Sequence, residues 1–155
     1  MVMNGRHKAT IDGDFVVFLI GMRMNRPWKV AKWWPVFLAM PRMLRYLEQH
    51  PENGLLGYRW GFPVITQYWR SFEDLERFAH DQDDPHLEPW RRFNAAVGSS
   101  GDVGVFHETY RVRAGEYEAI YVNMPRVGLG AAGELDPVGS ASRARDRIGY
   151  AEILK

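Results

Sequence analysis

A chain of 155 residues with a 46% apolar share can bury one sizeable core of its own, so one domain is expected. Its formal charge of +1 argues against a dedicated nucleic-acid surface, which relies on a marked excess of clustered Lys and Arg. The absence of cysteine rules out disulfides, thiol nucleophiles and thiolate metal sites.

Residues 1–13 read as a polar leader without the apolar core of a signal peptide. Phe15 to Met24 is a short apolar run with β-branched residues, a buried first strand too short to span a bilayer. A cytoplasmic protein with no membrane partner is the expectation. From Trp28 to Glu48 the positions Val30, Trp34, Phe37, Leu38, Leu44 and Leu47 recur at helical spacing. Pro35 and Pro41 each remove a backbone donor, which predicts a break near Trp34 and a kink near Pro41. Pro51 to Gly54 is a turn, and Leu55–Trp60 with Val64–Arg70 reads as a hairpin. Ser71 is a natural N-cap for a helix burying Phe72, Leu75, Phe78 and Ala79. A further helix opens at Pro85 or at Pro89 and runs to Gly98.

Gly101 to Met124 holds two runs rich in β-branched and aromatic residues about Ala114-Gly115, the pattern of two strands joined by a tight turn. Residues 127–155 read as a C-terminal arm with weak periodicity, its alternating charges at Arg143, Arg145, Asp146 and Arg147 those of a solvated tail. The core domain then spans residues 14–126. Its element order is βαββαβ with an extra strand, an α+β, ferredoxin-like antiparallel sheet with helices on one face. The other face needs a cover, and a second subunit's sheet, with a ligand space between, is the expected one. The six Trp, seven Tyr and eight Phe exceed the needs of a small core and suit a pocket or an interface.

Alternation along the strand puts Val103, Val105, His107 and Thr109 on one face and Phe106, Glu108, Tyr110 and Val112 on the other. His107 is the first choice for chemistry, since an imidazole within a packed strand suits a base or a ligand. The competing reading is a hydrogen-bonded core histidine. Glu108 cannot join it in one pocket, and an ion pair with Arg92 is its plainer role. His86 and Trp90 share a face on a continuous helix, which makes His86 a second candidate beside a surface cap. Tyr68, Tyr110 and Tyr121 offer phenols to a substrate, and Arg23 and Asn25 offer donors to an enolate or carboxylate. Gly128-Leu-Gly-Ala-Ala-Gly133 matches the dinucleotide pattern, but only twenty-two residues follow it and Asp136-Pro137 stops any helix, so a flexible turn is expected.

Gln67-Tyr-Trp-Arg-Ser-Phe-Glu-Asp-Leu75 resembles the antibiotic-biosynthesis monooxygenase type of dimeric α+β barrel. Together with Phe18 to Asn25, His86 with Trp90, His107-Glu-Thr-Tyr110 and Glu118 to Pro125, it is similar to the small monooxygenase-like family named after a fumagillin-pathway member. The resemblance covers Phe15 to Gly130 and implies a homodimer with a pocket in each subunit and a small organic substrate from secondary metabolism. It implies either cofactor-free use of dioxygen or a bound haem, with His107 or His86 as the axial ligand in the haem version. The expected function is a monooxygenase-like oxidoreductase acting on an aromatic or enolic metabolite. A haem-binding aldoxime dehydratase-like enzyme and a non-catalytic binding module are the alternatives.

Overall fold

The computed structural model describes residues 1–80, 88–140 and 143–148. In chain order the elements are β1 (Val2–Thr10), β2 (Phe15–Met24), α1 (Val30–Gln49), β3 (Leu55–Arg59), β4 (Val64–Trp69), α2 (Phe72–His80), α3 (Glu88–Val97), β5 (Val103–Val112), β6 (Ile120–Pro125), α4 (Leu129–Ala132), β7 (Glu134–Pro137) and α5 (Ala144–Arg147). Strands β3-β4-β2-β5, in that order and antiparallel throughout, make the main sheet. This is the ferredoxin-like α+β arrangement read from the sequence. Val16, Ile20, Ile65, Trp69 and Val103 bury one face of the sheet against Val36, Met40, Leu44 and Leu47 of α1, Leu75 of α2 and Phe93 of α3.

Local signals account for most boundaries. Gly54 takes φ 91° after a short 3-10 turn, Pro51–Asn53, a conformation only glycine adopts without strain. The Ser71 hydroxyl accepts from the Asp74 backbone N–H at 3.0 Å, which caps α2 as expected. In place of the break expected near Trp34, α1 is one continuous helix through Pro35 and Pro41. Its buried stripe of Val36, Ala39, Met40, Met43, Leu44 and Leu47 joins Val16, Ile20, Ile65 and Trp69 in the core, which offsets the two missing backbone bonds.

Three further expectations are corrected. The leader is ordered as strand β1, the centre of a second antiparallel sheet in the order β6-β1-β7. Gly115 does form a turn, but the strand after it leaves β5 and pairs with β1, so the predicted hairpin is absent. Part of the presumed arm, α4 and β7, completes this second sheet. Ala9, Phe15, Leu129 and Leu135 bury a smaller core there, against Val17, Leu56 and Tyr68. One end of the main sheet's second face is therefore covered by the chain itself.

Candidate active site

Because residues alternate along β5, and because Ile20 lies opposite His107 and Phe18 opposite Thr109, the side chains of His107 and Thr109 stand on the face that the helices cover. The imidazole lies 5.5 Å from the Phe18 ring, inclined by 31°. Here sheet and helices do not close. A cavity of about 680 Å³ separates Phe18, His107 and Thr109 from the helix layer. Phe72, Leu75, Glu76, Ala79 and His80 of α2 form its opposite wall, and Arg91 and Asn94 of α3 complete the lining.

The wall from α2 follows from helical geometry, since these five residues stand at i, i+3, i+4, i+7 and i+8 and share one face. The lining thus joins an apolar floor to two imidazoles, a hydroxyl, an amide, a carboxylate and a guanidinium. Such a site can hold a small, mostly apolar molecule by its body and exchange a proton with one polar end. His80 and Glu76 were missed in the sequence; their spacing from Phe72 was the available signal.

The remaining candidates lie elsewhere. Tyr110 stands on the opposite face, where its hydroxyl donates to Glu108 at 2.6 Å; that bond pushes the phenol above its ordinary range. It does not share the cavity with His107, and Glu108 engages Tyr110 on the face turned away from the helix that carries Arg92. Arg23 is exposed on that same opposite face, near the end of β2. Asn25 donates through its amide to the Gly101 carbonyl at 3.1 Å, fastening the exit of β2 to the start of β5. Tyr68 and Tyr121 hold the glycine-rich segment: Tyr121 donates to the Val127 carbonyl at 2.9 Å and accepts from the Gly130 N–H at 3.0 Å. Burial, then the neighbouring Tyr121, raises the Tyr68 phenol against a backbone hydrogen bond from Leu129. The predicted flexible turn is in part the short helix α4, and it serves as a clasp between the sheets. Trp90 belongs to α3, and His86 lies outside the described residues.

Asp102, 2% exposed, is a second buried polar feature. It accepts from Arg26 at 2.7 Å and from Lys29 at 3.0 and 3.1 Å. The Lys29 bond, with those from Arg26 and Ser100 and against burial, holds its carboxyl below the usual carboxylate range. Its role is to tie the β2–α1 connection to β5.

Residues 15–129 match the family described as Monooxygenase af470-like. Monooxygenase af470 of Aspergillus fumigatus is 32% identical over 132 residues, a match covering 76% of this chain and 46% of that relative. Among solved structures, an aldoxime dehydratase co-crystallised with butyraldoxime superposes with a TM-score of 0.56 at 17% identity, over 77% of this chain and 37% of the other. The likeness to the aldoxime dehydratase is one of fold. The match spans less than half the length of either of these two proteins.

Proposed function

The chain belongs to the af470-like monooxygenase family, and from that premise we propose that it oxidises a small aromatic or enolic metabolite in the cavity between the main sheet and α2. The observation that carries this reading is His107, a titratable ring presented to a cavity with an apolar floor. In the cofactor-free route the imidazole removes the proton of a phenol or enol, and the electron-rich anion reacts with dioxygen. One oxygen atom enters the product and the other leaves as water with two hydrogens from the substrate, so no outside reductant is consumed. Thr109 and Asn94 stand in the same lining as donors for the developing oxyanion. Phe18, Phe72 and Leu75 give the same lining an apolar body against which a small ring can pack.

The haem version uses the same cavity. His107 is the residue that would hold the iron there, and the bound group would supply its redox-active metal. An oxygen-electrode assay over a panel of phenols, hydroquinones and enols tests the reading, with the protein's visible spectrum recorded in parallel. Oxygen uptake by a colourless protein supports the cofactor-free route. A Soret band lost in His107→Ala selects haem. No uptake and no band together leave a non-catalytic binding module.

We place the protein in the cytoplasm, in secondary metabolism, as a homodimer. The dimer reading rests on the uncovered end of the second sheet face, where Phe106 is 46% and Tyr110 51% exposed. Large rings left in water on a flat sheet face are suited to a second copy.

A further inference from the structure

Between Asp14 and Glu48 the chain carries six Lys or Arg and no Asp or Glu. The first four, Arg23, Arg26, Lys29 and Lys32, are interleaved with Trp28, Trp33 and Trp34. The fold gathers this stretch at one end of the main sheet, where β2 leaves for α1. The β3–β4 turn lies alongside, since the Met22 N–H donates to the Pro63 carbonyl at 3.1 Å.

An aromatic rim results. Trp34 stacks on Phe37 at 5.6 Å between centroids, and Phe37 meets Phe62 edge-on at 5.9 Å. The Trp33 indole donates to the Pro27 carbonyl at 2.9 Å, which holds the Trp28 loop against the helix. Trp28 is 73% and Phe62 58% exposed, and Trp34 and Trp60 are exposed beside them. Scattered apolar side chains on a surface need no explanation; four large rings at one end do.

Charge identifies the occupant. Arg26 and Lys29 share the single carboxylate of Asp102, which leaves that cluster net positive. Neither Arg23 nor Lys32 has an acidic partner among the described residues. Indole rings favour the headgroup level of a bilayer, and cations at that level are drawn to anionic lipid. A second copy is disfavoured, because a two-fold contact through this rim would bring cation against cation. We propose that this end of the molecule docks on an anionic bilayer surface. The contact is peripheral: no helix among the described residues is long and apolar enough to cross a membrane, and α1 keeps its apolar stripe for the core.

Flotation of the full chain with phosphatidylcholine vesicles, with and without phosphatidylserine, tests this. Binding is expected only with phosphatidylserine, and brominated acyl chains should quench the tryptophan emission. Each cation removed should weaken binding about fivefold, so Lys32→Ala with Arg23→Ala should cost at least tenfold, and added salt should act in the same direction. Trp28→Ala should weaken it too. Arg113→Ala, at the opposite end of the sheet, should leave it unchanged. Absence of flotation, equal binding to phosphatidylcholine alone, or unchanged binding by the Lys32 and Arg23 variant would overturn the proposal. So would a Trp28→Ala chain whose vesicle binding is intact but whose oligomeric state has changed, because the rim would then be a protein contact.

Discussion

His107 and Tyr110 are three residues apart on one strand, yet the pleat sends them to opposite faces, and only His107 meets the cavity. His107→Ala should therefore lower kcat/KM by about 10²- to 10⁴-fold, the usual yield of a positioned acid or base. Tyr110→Phe should stay near the parent value, with steady-state oxygen uptake reading both and near-ultraviolet circular dichroism confirming the fold. Buried carboxylates set the acid limit of stability. Burial alone would raise the Asp74 carboxyl, but hydrogen bonds from Arg70 and Arg77 outweigh it and hold it below the usual range, as happens at Asp102. A depressed folded-state value means that the stabilisation is complete above the unfolded carboxylate value of about 3.9 and is lost as pH falls through the folded one. Urea midpoints should fall below about pH 5, and Asp74→Asn should flatten part of that fall while costing about 1 kcal/mol at neutral pH, its arginines being half exposed. Alternation alone made His107 legible in the sequence. The side of the pocket was not: the ligand space is expected between two copies' sheets, on the face the helices leave bare, whereas Val103 and Val105, which share a face with His107, pack into the core beneath the helices.

At the scale of elements, periodicity gave the βαββαβ order because β2, α1, β4 and α2 each bury a clear apolar stripe. The second sheet was illegible for a physical reason. Strand β1 buries only His7 and Ala9 among Asn4, Arg6 and Lys8, so its inward face carries little apolar signal. Its partners, Tyr121 and Leu135, are more than a hundred residues away, and no local turn announces them. Gly133 shows how closely the two segments meet, because a Cβ there would strike the Thr10 carbonyl oxygen. Backbone cannot swing aside, so Gly133→Ala should lower unfolding free energy by about 1–3 kcal/mol in urea titration. Gly21→Ala would meet only the ring of Phe106, which is partly exposed and can turn away, and should cost less.

For the whole molecule, the two faces of the main sheet have different tasks. One face, with α1, α2 and α3, carries both the principal core and the half-open cavity, where His107 and Thr109 are exposed. On the other, the chain's own second sheet covers the Phe15 and Tyr68 end and leaves the Phe106 end open. The cavity is therefore lined by one chain alone, which separates the catalytic proposal from the dimer proposal. Sedimentation velocity should give a dimer for the parent chain and a monomer for Phe106→Glu, with the cavity and its ligand binding retained in the monomer. A crystal structure of the chain with a bound phenol or enol tests the account most directly. Ligand density is expected between Phe18 and Phe72, with the ligand oxygen within hydrogen-bond distance of the His107 ring. Density on the opposite face instead, beside Tyr110 and Phe106 and closed over by a second copy, would contradict it.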